Sequence, residues 1–219
     1  MLSNVPNGLK GKARAPRRGR PRGFDVLEVV EAAKELFWEH GYEGSTLADL
    51  ERATRLNRSS LYQAFGTKEA LFAAALDSYI DSFMAPRLAA MDRPRAGPRD
   101  VIVFFRGLAK LFREDPRRWT RGCLWVNSFA EFSGRELPDS RALEYRSRLG
   151  AAFANALSGA AEDLSPSAAL MQRRGRMLTA ATFGVWLSAR VDPTEAARIC
   201  DDLVAEVRSW DGPGAAGRR

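Results

Sequence analysis

An all-α fold is expected for this 219-residue chain on three grounds. Apolar residues recur at helical spacing through nearly every segment after residue 24. Cap signals, in which a Ser, Thr, Asp or Asn precedes a stripe of this kind, mark the starts of helices. Proline and glycine gather between the stripes and mark turns. With 45% hydrophobic residues the chain can bury a real core, and its length suggests one or two domains.

The basic charge is concentrated at the start. Residues 1–24 hold Lys10, Lys12, Arg14, Arg17, Arg18, Arg20 and Arg22 and no acid; the remainder carries 27 basic and 27 acidic residues, so the net charge of +7 belongs to this arm. Pro6, Pro16, Pro21 and the small residues around them predict an arm disordered in isolation. Arg18, Arg20 and Arg22 stand just before the first helix, where they suit phosphates or an adjacent minor groove. A solubilising tail or a contact with an anionic membrane are the alternatives.

The first helix begins with Phe24 as staple, Asp25 as cap and Glu28 three residues on, a capping-box pattern. Val26, Val30, Ala33 and Phe37 form its stripe, with Leu36 beside them, and Gly41 stops it. His40, the sole histidine, falls in the last turn with no acid and nucleophile arranged around it, and is a poor catalytic candidate.

Residues 46–65 read as two short helices joined by a tight turn. Thr46 and Asp49 form a capping box, after which Leu47, Leu50 and Ala53 share a face. Asn57 caps the second helix, and Leu56 before it meets Leu61 as a staple. Leu61 and Phe65 point inward, leaving Arg58, Ser59, Tyr62 and Gln63 outside. A face of donors, acceptors and one phenol suits a helix lying in a major groove; a solvated face of an ordinary helical hairpin fits these twenty residues equally well.

The runs Ala33-Lys34-Glu35-Leu36-Phe37, His40-Gly41-Tyr42, Ser45-Thr46-Leu47-Ala48-Asp49-Leu50 and Leu61-Tyr62-Gln63-Ala64-Phe65-Gly66-Thr67-Lys68-Glu69-Ala70-Leu71 resemble the DNA-binding domain of the TetR (tetracycline-repressor) family of bacterial regulators. The resemblance runs from Val26 to Phe72, about a fifth of the chain, with the order and spacing of its parts intact. It implies a three-helix helix-turn-helix DNA-binding domain followed by a helical domain that binds ligand and dimerises. Carried over by position, Thr46, Tyr62 and Lys68 hold phosphates, while Arg58, Ser59 and Gln63 face bases. Two departures stand out. Arg55 occupies the place of a turn glycine, where a left-handed arginine costs about 1 kcal/mol, so the turn is expected to differ locally. Gln63-Ala64 replaces a frequent histidine pair, which bears on sequence preference. The expected division is an arm over 1–23, the DNA-binding domain over 24–67, the effector-binding and dimerisation domain over 68–210, and a loose tail over 211–219.

Beyond Lys68 the pattern stays helical. Leu71, Ala75, Tyr79 and Phe83 continue a fourth helix that Pro86 should kink or end. Residues 91–99 make a loop on their Pro and Gly content. Val101, Phe104, Phe105, Leu108 and Phe112 form the next stripe, closed by Asp115-Pro116. Residues 122–132 are apolar around most of the circumference, which predicts a helix buried on nearly every side. Phe105, Trp119, Trp125, Phe129, Phe132 and Tyr145 are candidates to line a cavity for a flat or greasy effector, with plain core packing as the alternative for each. Leu137-Pro138 opens a helix with the stripe Tyr145, Leu149, Ala152, Phe153, Ala156 and Leu157. Ser165 and Pro166 start another, along which run Leu170, Met177, Ala181, Gly184 and Ser188. Asp192-Pro193-Thr194-Glu195 starts the last, with Ile199, Leu203 and Trp210 on one side. The resemblance places a dimer contact in these last two helices, at Ala181, Gly184, Ser188, Ile199 and Leu203.

Several function classes are disfavoured. There is no histidine partnered for catalysis, no glycine-rich phosphate motif after a strand and no Cys/His metal spacing, so neither an enzyme nor a cofactor or metal requirement is expected. No run approaches about 18 apolar residues, and no apolar stretch follows the basic start, so a cytoplasmic protein without a membrane partner is expected. Cys123 and Cys200 are expected to be reduced. The resulting expectation is a ligand-responsive regulator, a repressor, binding a palindromic operator in double-stranded DNA as a homodimer and released by a small hydrophobic or aromatic molecule. A non-specific DNA-architectural protein is one alternative. The other is a regulator sensing oxidants or electrophiles through Cys123, whose position at a helix start near Arg117, Arg118 and Arg121 favours reactivity while its apolar neighbours favour a buried structural residue.

Overall fold

Short-range capping sets most of the helix starts in this protein. The computed structural model describes residues 24–132, 136–159 and 168–210. Helix α1 (Val26–Gly44) begins at Asp25, whose carboxylate accepts the Leu27 N–H at 2.8 Å. The reciprocal Glu28 bond of a full capping box is not what holds it. Gly41 breaks the helical path with φ 74° and ψ 174°, and one further turn follows to Gly44. Helix α2 (Leu47–Thr54) has the expected box, Thr46 accepting from the Asp49 N–H and Asp49 from the Thr46 N–H. Asn57 caps α3 (Arg58–Phe65) through the Ser60 N–H, and Thr67 caps α4 (Lys68–Tyr79) through the Ala70 N–H.

The α2–α3 turn corrects one expectation. Arg55 adopts the left-handed conformation itself, with φ 57° and ψ 23°, so the turn keeps its geometry and the arginine takes on the strain. Its side chain is exposed, so the strain is that of the local backbone and not of packing against neighbours.

Pro86 acts through the turn before it. The α4 helix widens into a π turn over Ile80–Met84, in which the Ala85 N–H reaches back to the Ile80 carbonyl, and then resumes as α5 (Ala85–Leu88) with the proline in its first turn. After the expected loop come α6 (Pro98–Glu114), the single turn α7 (Pro116–Trp119), α8 (Leu124–Phe132), α9 (Glu136–Ser158), α10 (Ala168–Val191) and α11 (Pro193–Ser209). The Ser165-Pro166 start signal and the 211–219 tail lie outside the described residues. Asp192 caps α11 by accepting from the Thr194 and Glu195 N–H groups.

Packing follows the apolar stripes. Helix α1 lies against α4 through Val30, Ala33, Phe37 and Tyr42, while Lys34, almost fully buried, reaches Glu31 at 2.6 Å and the Ser78 hydroxyl of α4 at 3.4 Å. Helix α11 runs along α6, and α9 along α10. The α9–α10 approach is close at Gly175, where a Cβ would stand 2.8 Å from the Gly150 carbonyl oxygen. An aromatic cluster joins distant segments: Trp119 lies 5.6 Å from both Trp38 and Trp186, and Trp186 lies 5.2 Å from Phe112. No helix among the described residues is long and apolar enough to cross a membrane.

Candidate nucleic-acid interface and ligand cavity

Helix α3 is seated by one side and free on the other. Leu61 is 4% exposed against the core, whereas Arg58, Ser59, Tyr62 and Gln63 are all exposed. The Arg58 guanidinium stands 5.5 Å from the centre of the Tyr62 ring, so the two side chains form one cationic and aromatic edge. The first N–H of α3, that of Arg58, donates to the Glu51 carboxylate of α2, and Asn57 takes that of Ser60. The start of α3 is thereby tied to α2, and the free groups of α3 are its side chains. Thr46 is exposed at the start of α2, its hydroxyl donating to Asp49, whose carboxyl that hydroxyl and the Thr46 N–H hold below the usual range.

Lys68 sits at the start of α4, half-buried, with its ammonium 4.2 Å from the centre of the Tyr42 ring. The Tyr42 hydroxyl donates to Glu69 at 2.6 Å, and that bond keeps the Glu69 carboxyl below its ordinary value. Tyr42 thus orients Lys68 from below. The His40-Gly41-Tyr42 run was the available signal for this role, but the contact spans more than twenty residues and only the fold reveals it. Arg18, Arg20 and Arg22 lie outside the described residues.

Helix α8 connects this region to the rest of the chain. The Glu43 N–H, just after the Gly41 break in α1, donates to Glu131 of α8 at 2.9 Å. The Trp38 indole donates to the Gly122 carbonyl at 3.0 Å, and Arg121 pairs with Glu35 at 2.9 Å while its guanidinium stands 4.1 Å from the Trp38 ring. The Trp125 indole donates to the Leu76 carbonyl of α4. None of these partners is local in sequence, and Glu131 carried no signal that would have singled it out.

Two residues before Glu131, Phe129 lines an open cavity of about 1110 Å³ between α9 and α10. Phe183 lies 5.3 Å from Phe129 on the same wall, and Tyr145 and Trp125 stack behind at 5.5 Å from each other. The six expected cavity residues therefore divide. Phe129 faces the cavity; Trp125 and Tyr145 are 1% and 2% exposed and form its backing. Phe105 packs against Phe104 and Phe153 in the core and does not line the cavity, and the Phe132 side chain lies outside the described residues. Trp119, the remaining aromatic, belongs to the core cluster around Trp38 and Trp186. Phe183, Arg146 and Arg176, which also line the cavity, escaped the sequence reading because α9 and α10 meet only in the fold.

Cys123 is wholly buried, and burial raises its thiol pKa above the ordinary value. The nearby Tyr79 hydroxyl is raised by the same cause. Cys200 is also buried, with its pKa pushed up to about 12.

On α10, Met177, Leu187 and Val191 are exposed at 55%, 53% and 88%, and Gly184 is exposed between them. Ala181 and Ser188 are half-buried on the same helix, as are Ile199 and Leu203 on α11. The core-facing side of α10 is instead Met171, Leu178, Val185, Trp186 and Ala189.

Comparison with known proteins matches residues 29–75 to the bacterial regulatory proteins of the tetR family. The transcriptional repressor ComR of Escherichia coli is 37% identical over 124 residues, 56% of each chain. The transcriptional repressor AcnR of Corynebacterium glutamicum is 37% identical over 109 residues, 48% of this chain and 47% of that one. The chain thus spans about half the length of these curated relatives. Among solved structures, a cysteine-substituted CifR in complex with 26-bp double-strand operator DNA aligns over 85% of this chain and 98% of its own, with TM-score 0.56 and 28% identity. A regulator from Streptomyces coelicolor has the same fold at TM-score 0.71 and 19% identity, covering 84% of this chain and 88% of its own.

Proposed function

Residues 29–75 are the N-terminal domain of a TetR-family bacterial regulator, and from that premise we propose that the chain is a transcriptional repressor that binds a palindromic operator as a homodimer and is released by a small apolar or aromatic effector. The observation that carries this reading is the exposed face of α3, with Arg58, Ser59, Tyr62 and Gln63 free while Leu61 anchors the helix. Arg58, Ser59 and Gln63 reach base edges in the major groove; Thr46, Tyr62 and Lys68 hold the flanking phosphates, and the basic arm with Arg18, Arg20 and Arg22 adds a sequence-independent term. The operator complex of CifR and the repressor names of ComR and AcnR support the same reading.

The division into an arm over 1–23, a DNA-binding domain over 24–67, an effector and dimerisation domain over 68–210 and a tail over 211–219 goes with it. One short recognition helix reads few base pairs, so two copies related by a two-fold axis are needed. The exposed stripe of α10, running along Met177, Gly184, Leu187 and Val191 beside Ala181 and Ser188, supplies a self-complementary face, continued on α11 by Ile199 and Leu203. Helix α8 carries the signal: Phe129 faces the cavity and Glu131 holds the Glu43 N–H at the end of α1, so a shift of α8 on ligand binding moves the segment that leads into the helix-turn-helix. The burial of Cys123 favours a structural thiol over a sensing one.

A footprint of the purified protein on selected DNA tests the reading, with sedimentation in parallel. The expected result is a dimer protecting one discrete palindrome. Uniform protection of random DNA would identify an architectural protein instead, and a monomer at micromolar concentration that selects no palindrome would overturn the proposal.

A further inference from the structure

The chemistry of the α9–α10 cavity selects for the sign of its occupant. Arg146 of α9 and Arg176 of α10 stand at its walls, both exposed. Among the described residues neither guanidinium has an ion-pair or hydrogen-bond partner, whereas Arg148 of α9 pairs with Asp92, and Arg174 of α10 lies 4.4 Å from the Trp210 ring centre. Among the described residues no aspartate or glutamate lines the cavity. Two unpaired cations lining one concave space give it a positive potential that favours an anionic occupant. The other wall is apolar. Phe129 and Phe183 meet edge to face at 5.3 Å, and Phe183 stacks on Tyr145 at 6.3 Å.

A volume of about 1110 Å³ is slightly above the usual range of small-molecule sites, and the cavity is open on one side, so a small organic molecule fits with room to spare. Arginine presents a planar fork matched to a carboxylate, and the pair is strongest where an apolar surface nearby excludes water. We propose that this cavity binds an amphipathic carboxylate, with its aromatic or aliphatic body against Phe129 and Phe183 and its carboxylate held by Arg146 and Arg176. The inference rests on the reading of the chain as an effector-released regulator and names the chemistry of that effector. A neutral greasy molecule fills the same apolar wall but leaves both guanidinium groups unpaired, so charge decides specificity while the rings supply area.

The test uses the full-length protein with 4-phenylbutyrate and decanoate as probes and 4-phenylbutanol as the neutral comparison. Binding is followed by titration calorimetry and by tryptophan fluorescence, to which Trp125 behind the cavity contributes. The acids are expected to bind at least about tenfold more tightly than the alcohol, and Arg146→Gln with Arg176→Gln should remove that preference while leaving the affinity for the alcohol unchanged. Both side chains are exposed, and an unaltered melting temperature of the double variant confirms its fold. Equal binding of acid and alcohol, no binding of either acid at millimolar concentration, or full affinity for the acids in the double variant would each overturn the proposal. Operator release measured in the same samples separates the two levels. Acid that binds through these arginines without releasing DNA sustains the site and counts against the effector reading, whereas release by the alcohol alone sustains the effector reading and refutes the carboxylate site.

Discussion

Gly41→Ala should destabilise the chain by about 2–3 kcal/mol, and most of that cost is set by two features of one junction. The backbone at Gly41 has φ 74° and ψ 174°, a region open to glycine and strained for any residue with a Cβ by about 1–3 kcal/mol. A Cβ there would also stand 2.6 Å from Oε1 of Glu131. That oxygen ends a flexible side chain, so the carboxylate swings aside and steric overlap adds little. Swinging aside releases the Glu43 N–H, which Glu131 accepts at 2.9 Å. The bond is solvent-exposed, so its loss is set at about 0.5–1 kcal/mol, below the range for a buried bond to a charged group. For a chain of this size each kcal/mol lowers the melting temperature by about 2–4 °C, which predicts a drop of about 5–10 °C. Urea unfolding of Gly41→Ala, Glu131→Ala and the double variant closes a cycle. In the Glu131→Ala background the glycine change should retain the backbone cost and lose the coupling of about 0.5–1 kcal/mol. Were Gly41→Ala to cost under about 0.5 kcal/mol, or were the two changes strictly additive, the junction would not be held as described.

At the α2–α3 turn, Arg55→Gly relieves a left-handed strain of about 1–2 kcal/mol and loses about 0.5–1 kcal/mol to the freer unfolded chain, so a net gain near 0.5–1 kcal/mol is expected in the urea midpoint at constant m; a loss would mean that Arg55 makes a stabilising interaction of its own. Gln63→Ala should relax base preference at one operator position with no change in the salt slope, whereas removing residues 1–22 should weaken binding to every sequence and flatten that slope by about 0.9 for each phosphate contact given up; an unchanged slope would reduce the arm to a tail. Since burial raises the Cys123 pKa, its thiolate fraction at pH 8 falls below that of a free cysteine, and iodoacetamide should label it slowly in the native protein and quickly in denaturant. Rapid native labelling that abolishes operator binding, and is absent in Cys123→Ser, would restore the sensing alternative.

The helix starts at Asp25, Thr46, Asn57 and Asp192 were legible in the chain because a cap bonds to an N–H two or three residues away, and so needs no knowledge of the fold. The outward side of α3 was legible for a similar reason: in an eight-residue helix with Leu61 and Phe65 turned in, the polar residues have only one side left. The charged arm needed only composition. Helix α10 resisted such reading. It carries apolar or small residues on both sides, so periodicity does not say whether Met177, Gly184 and Val191 or Met171, Leu178 and Val185 meet the core; packing on α9 decides for the second set and leaves the first exposed. The aromatic residues posed the same difficulty, since Phe105 and Phe129 look alike until one lies between Phe104 and Phe153 and the other opens onto a cavity. The Glu43–Glu131 bond, the Lys68–Tyr42 contact and the placing of Arg146 and Arg176 on one cavity likewise belong to the tertiary structure. Local hydrogen bonds and periodicity are properties of a few neighbouring residues and survive in the one-dimensional string, whereas a cavity and its charges arise where helices far apart in the chain are brought together by burial, which carries no local mark.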